Sequence, residues 1–310
     1  MRPLKLVTVN AAVAAVLLGT VGCTAGVDGA SRSGAPQLSI VPLVGTEPLP
    51  DAPIIDSPVS DSSTALLELD SRERQATNTA ASSGATISAA VLDRSTGQLV
   101  TNGNNKPMPI ASVAKLFIAD DLLLQVAKGQ TELSAADLAA LGTMLRSSDD
   151  SIANDFWNRS GGNAVVTRVA ARYGLTGTTV PYDGNWWTTM STAGDLVRYY
   201  DKLLSGTGGL PVDKASIILS NLAQSTPNGS DGYPQRFGIP DGLYGEPVAV
   251  KQGWMPGWAG NNWMHLSTGV IGSDRRYVMA IGSLQPTDDA TARATLTDAV
   301  KTMFPGGRIN

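Results

Sequence analysis

The strand-like segments of this chain are confined to its two ends, and that placement limits what it can fold into. Thr86 to Leu92 reads as a strand, Asp93 to Gly97 as a polar turn ending in glycine, and Gln98 to Thr101 as the return strand. From Ser112 to Leu204 the pattern is helical in several segments. Ser134-Ala135-Ala136-Asp137 forms a capping box. Asn163 to Tyr173 and Thr192 to Leu204 are further helices, and Pro211 opens another. Strands return at Pro247 to Gln252, Asn262 to Ile271 and Arg276 to Leu284. Helices at Thr64 to Ala76 and Ala290 to Met303 flank the whole. Strands grouped on either side of a run of helices predict an α+β fold, not alternating βαβ units. The simplest assembly is one five-stranded antiparallel sheet flanked by the terminal helices, beside an all-helical lobe.

The N-terminal stretch reads differently. Arg2 and Lys5 precede an uncharged run from Leu6 to Gly22, and the only cysteine, Cys23, follows directly. A basic start, an apolar run and small residues before a cut are the layout of a signal peptide. The arrangement around Cys23 resembles a bacterial lipobox, with Thr20 where that motif prefers a branched apolar residue. The expected division is a signal peptide over 1–22, a lipidated cysteine and flexible tether over 23–61, and one domain over 62–310. The tether is rich in Ser, Pro, Gly, Ala and Asp. An acylated Cys23 would hold the domain at the extracytoplasmic face of the cell membrane. A single cysteine forms no internal disulfide, so a core drawn from 42% hydrophobic residues must stabilise the domain. A net charge of −4 without a basic cluster gives no sign of nucleic-acid binding. No Cys/His/Asp cluster has metal-ligand spacing, so neither metal nor cofactor is expected.

Three short motifs lie at the junctions of this layout. Ser112 and Lys115 are three residues apart at the start of the helical block, on one helix face. A desolvated lysine there can activate a serine hydroxyl, and the helix N-terminus favours a developing oxyanion. Ser148-Asp149-Asp150, followed by Asn154, falls on a break between helical segments, and Lys251-Gln252-Gly253 lies on the first late strand. Each has an ordinary explanation alone: a helix start, a cap, a surface lysine. Together they match, in order and element type, the S-x-x-K, S-D-N and K-T-G trio of serine β-lactamases and penicillin-binding proteins.

From about Ser62 to Phe304 the chain resembles that superfamily. Ser148 to Asn154 is similar to its S-D-N-x-x-A-N stretch, and Thr188 to Thr192 to the segment after its omega loop. The resemblance implies Ser112 as the acylated nucleophile and Lys115 as its base or electrostatic partner. Ser148 would pass a proton to the leaving amine. Lys251 would hold Ser148 and attract a substrate carboxylate. The backbone N–H groups of Ser112 and of Trp254, after Gly253, would form the oxyanion hole. The implied ligand is a β-lactam or a cell-wall peptide.

The pattern departs from the family in three places. Asp150 stands where the family keeps an asparagine. A carboxylate only accepts hydrogen bonds, and it favours the ammonium form of Lys115. Gln252 replaces the hydroxyl residue that binds the substrate carboxylate, offering a longer donor from a different place. The omega-like segment from Leu175 to Trp187 holds no glutamate, and Asp183 is its one acid. Two functions therefore stay open. One is an envelope-anchored serine hydrolase or acyl-transferase working through an acyl-enzyme at Ser112. The other is a catalytically impaired relative that serves as an envelope binding module. His265, the only histidine, lies mid-strand without a G-x-S-x-G elbow to serve, and is expected to be structural. Trp186, Trp187, Trp254 and Trp258 are candidates either for a cleft wall or for loop packing.

Overall fold

The computed structural model describes residues 61–309. The leader, Cys23 and most of the tether lie outside the described residues. The chain runs through α1 (Asp61–Ser82), β1 (Thr86–Asp93), β2 (Gln98–Thr101) and a two-residue β3 (Met108–Pro109). A 3-10 turn (Ala111–Ala114) leads into α2 (Lys115–Ala127), followed by α3 (Ala135–Ser147), α4 (Asp150–Arg159) and α5 (Ala164–Tyr173). Next come β4 (Met190–Ser191), α6 (Ala193–Ser205), α7 (Val212–Leu222) and the single turn α8 (Ile239–Gly242). The chain finishes with β5 (Val248–Trp258), β6 (Asn262–Ile271), β7 (Tyr277–Gln285) and α9 (Asp289–Met303).

The expected sheet is present. Its order is β2-β1-β7-β6-β5, antiparallel throughout. Alternation along the strands sends Ile87, Ala89, Val91, Met279 and Ile281 into one core, shared with α1 and α9. Ala90, Val278 and Ala280 go to the opposite face, into the core of the helical lobe. With both faces covered, the central strands carry almost no polar side. Helix α2 is the axis of the lobe. Leu116, Phe117, Ile118 and Ala119 are wholly buried on successive positions, so the helix is buried all round, with its acids Asp120 and Asp121 paired to Arg172 and Arg168.

Two boundaries move by more than a residue or two, and one strand pair is new. Helix α1 continues to Ser82, because nothing breaks it before Gly84 at φ +80. Strand β5 runs on to Trp258 instead of ending at Gln252. It is the sheet's edge strand, where Pro256 is tolerated beside a register shift between Met255 and Trp258. The small β3–β4 pair was not foreseen: Met108 pairs with Ser191 and Pro109 with Met190. It fastens the segment before Ser112 to the segment after the omega-like loop.

One buried carboxyl sets a pH dependence on the fold. Glu73 lies on the packed face of α1 with Leu69, Ala76 and Ala80, and is fully buried. Neither of its oxygens makes a hydrogen bond of ordinary geometry. Burial, with Asp70 nearby, pushes its pKa up to about 8 from 4.5. The folded state therefore keeps a proton that the unfolded chain has already lost above pH 4.5, so stability falls as pH rises towards 8. Glu73→Gln is expected to remove that slope and raise the melting temperature at pH 8.5 by several degrees, with little change at pH 4.5, as thermal melts across pH would show.

Candidate active site

The nucleophile's segment is set by backbone constraints. Ile110 N–H donates to Thr189 O at 2.9 Å, and Val113 N–H donates to Ile110 O at 2.9 Å to start the 3-10 turn. Ala111, just before Ser112, sits at φ +43, and Ser148 at φ +55. Non-glycine residues rarely adopt this region, and such strain gathers where a side chain must be held in one direction. Strand β5 comes close on the other side. A Cβ on Gly253 would stand 2.5 Å from Ile110 O, so only glycine lets the strand lie against the nucleophile's segment.

The structure brings Ser112, Lys115, Ser148 and Lys251 together. Lys115 Nζ lies 2.7 Å from Ser112 Oγ, 2.7 Å from Ser148 O and 2.6 Å from Asp150 Oδ1. It also sits 4.4 Å above the Trp186 ring and has no exposed surface. As an ammonium, Lys115 would donate to all three oxygens. As an amine it can keep the bonds to Ser148 O and Asp150, while its lone pair accepts the Ser112 proton. Burial lowers the Lys115 pKa, and this outweighs the opposite pull of Asp150, Asp149 and Asp231. Asp150 thus acts in the direction expected from the sequence, but its side chain is 67% exposed, so water screens it.

Ser148 is held from two further sides. Lys251 Nζ donates to Ser148 Oγ, and Ser148 Oγ donates to Gln235 Oε1 at 2.9 Å. Gln235 Nε2 donates to the carbonyls of Arg146 at 2.7 Å and Thr226 at 2.8 Å, which fixes which end of the amide meets Ser148. Lys251 is buried, and burial together with Lys115 holds its pKa well below the lysine range. That leaves it a weak attractor for a substrate carboxylate.

Above these groups opens a cleft of about 490 Å³, lined by Ala111, Ser112, Asp150, Trp186, Trp187, Asp231, Trp254, Met255 and Pro256. Its size suits a small-molecule or peptide ligand. Trp254 lines it, as does Ser112, so the two residues named for the oxyanion hole face one space. Trp186 and Trp187 meet edge to face at 5.1 Å. The omega-like loop is tied down by Trp186 Nε1 donating to Asn154 at 2.8 Å and Trp157 Nε1 to Gly184 O at 3.1 Å. Trp258 packs against the core of the helical lobe and does not line the cleft.

Gln252 departs from the expectation. Its Nε2 donates to Phe237 O, which draws the side chain away, and its Oε1 is left buried and unpartnered. It does not line the cleft. Asp183 also stays outside the cleft lining. It accepts from Asn185 N at 3.0 Å and Asn185 Nδ2 at 2.9 Å, and from the Thr188 hydroxyl, all within its own loop. His265 is fully buried, 2.8 Å from Tyr233 OH and 3.1 Å from Asp289 Oδ1, and burial brings its pKa down to about 4. It braces β6 against α9.

Two residues were missed by sequence reasoning: Asp231 and Gln235, both on the loop between α7 and α8. Ser230 N–H donates to Ser147 O at 2.7 Å, and Gly229 fits between Ser147 O and the Trp254 ring. Tyr233 stacks on Trp254 at 4.3 Å, nearly parallel. The only available signal was the turn-rich run Asn228 to Pro234.

The sheet order, with two serines and two lysines gathered beside it, is that of a β-lactamase-like fold. The Beta-lactamase enzyme family matches residues 71–136, which include Ser112 and Lys115. Solved structures of similar fold include a β-lactamase from Chitinophaga pinensis, with 16% identity, TM-score 0.61 and coverage of 76% of this chain and 98% of that one. The structure of PBP-A is similar at 18% identity and TM-score 0.61, over 77% of this chain and 95% of that one. A protein of Mycobacterium tuberculosis named "Putative lipoprotein LppW" is 58% identical over 99% of both chains. The chain belongs to the family of that protein.

Proposed function

We propose that the protein is an envelope-anchored serine hydrolase or acyl-transferase that forms an acyl-enzyme at Ser112. One observation carries this reading: Lys115 is wholly buried, lies 2.7 Å from Ser112 Oγ, and has its pKa lowered by that burial. Lys115 as an amine takes the Ser112 proton while Oγ bonds to the substrate carbonyl carbon. The bond to the leaving nitrogen or oxygen then breaks, and the proton reaches the leaving group from Lys115 with Ser148 as relay. Ser148 must turn its hydroxyl from Gln235 towards the cleft to do so. The backbone N–H groups of Ser112 and Trp254 would hold the oxyanion. No acid of the omega-like loop lines the cleft to activate a deacylating water, so the acyl-enzyme should be long-lived. A variant of PBP-A of similar fold has been solved as an acyl-enzyme complex with penicillin G, which makes penicillin G the first probe. An acyl chain on Cys23 would place the domain at the outer face of the cell membrane. The relative's lipoprotein name supports that placement.

The test is intact-protein mass after incubation with penicillin G. A stable adduct of one penicillin is expected, absent in Ser112→Ala. A second reading, an envelope binding module without turnover, is favoured by the Asp150 carboxylate on Lys115 and by the turned-away Gln252. It predicts no adduct and no consumed antibiotic, even for Asp150→Asn.

A further inference from the structure

We propose that the cleft selects acyl substrates bearing a positive charge, an ammonium or guanidinium beside the reacting carbonyl, and disfavours those bearing a carboxylate there, so that penicillin G, itself a carboxylate, acylates Ser112 slowly. This substrate class rests on the Ser112 acyl-transfer reading but has its own evidence. The cleft lining holds two carboxylates, Asp150 and Asp231, three indoles, Trp186, Trp187 and Trp254, and no cationic side chain. The two lysines of the site lie beneath it, buried, and burial depresses both. Positive potential at the mouth is therefore weak, and the carboxylates set its sign.

The acids are free to act on a ligand. Asp150 gives Oδ1 to Lys115, and its side chain remains 67% exposed. Asp231 accepts from Tyr233 N at 2.9 Å through Oδ1, which fixes the carboxylate at the rim. The indoles suit the same ligand. Tyr233 occupies one face of the Trp254 ring. Trp186 is buried, with the Lys115 nitrogen 4.4 Å from its ring centre, so the half-buried Trp187 and Trp254 are the indoles a ligand would meet. Groups that would bind a carboxylate are lacking at the rim. Gln252 faces away, and Asp150 repels an anion. Aromatic faces beside carboxylates are a combination that recognises an ammonium and rejects an anion.

The test uses the full-length chain in detergent and three matched 4-nitrophenyl phenylacetates: unsubstituted, 4-aminomethyl and 4-carboxymethyl. Nitrophenol release is followed at low and high salt. The expected kcat/KM order is cationic over neutral by about tenfold and neutral over anionic by at least that, narrowing in high salt. In Asp231→Asn, which keeps the Tyr233 hydrogen bond, the cationic-to-neutral ratio should fall to about three or less. Equal rates for the three esters, lost in Ser112→Ala, would overturn the charge selection and leave the acyl-transfer reading standing. 4-Methylbenzylammonium, which has no carbonyl, separates the two ideas in the other direction. Quenching of tryptophan fluorescence by it, weakened in Asp231→Asn but with no ester consumed, would keep the selection and remove the acyl transfer. Neither turnover nor quenching would overturn both.

Discussion

Lys115→Met should slow penicillin acylation of Ser112 by about 10³-fold, with the fold retained. General bases of this kind contribute roughly 10²–10⁴ in rate. Methionine nearly keeps the volume beneath Trp186, and the partner left behind, Asp150, is already 67% exposed and stays hydrated, so no charge is stranded in the core. The serine would keep its position, its strained neighbour Ala111 and the cleft above it. What it would lose is the one nitrogen within 2.7 Å that can take its proton. The adduct's rate of appearance by mass reads this directly. A loss smaller than tenfold would place the base elsewhere.

The same lysine predicts a pH profile. The amine is the active form, so acylation should rise with pH through the Lys115 pKa and then level. Burial lowers that pKa and Asp150 raises it. Asp150→Asn removes the raising partner, so the rising limb should move to lower pH. A limb that stays in place would mean the Asp150 contact is too well screened to matter.

The parts of this molecule legible in its sequence are those fixed by period and order. Strands grouped at the ends gave the antiparallel sheet, and the spacing of Ser112 with Lys115 placed both on one turn. Ser148 and Lys251 came from motif order, and they do meet. Gln252 was not legible: its amide is held by the Phe237 carbonyl, from a segment distant along the chain, and no local pattern announces that contact. Asp231 and Gln235 were not legible, because neither lies in a periodic element. Their effect depends on a loop that crosses from α7 to reach Ser147 and Trp254, and such long-range closeness leaves no local pattern. Asp183 was the reverse case: the right residue type in the right segment, but its oxygens are occupied by Asn185 and Thr188.

Gly253→Ala should be the most disruptive single methyl in the site. The residue has an ordinary backbone conformation, so the argument is one of space. Its Cβ would lie 2.5 Å from Ile110 O and 3.4 Å from the Ala111 Cβ. Ile110 cannot move cheaply. Its N–H is bonded to Thr189 O, its carbonyl accepts from Val113 N, and its side chain is fully buried. Nor can β5 retreat without disturbing its ladder to β6, in which Gly253 is paired with Leu266 and Trp254 with His265. Overpacking of this kind costs about 1–3 kcal/mol, and a backbone obstacle belongs at the upper end. The functional loss should exceed the structural one. The added methyl widens the gap between Ser112 and Trp254, whose N–H groups are proposed to share one oxyanion, and a shift of about 1 Å there costs roughly 10² in rate. Thermal melting and penicillin adduct formation check the two halves separately. A variant that melts with the parent and acylates at the parent rate would show that β5 does not press on the nucleophile's segment. A variant that melts several degrees lower but still acylates normally would mean that the oxyanion is held without Trp254.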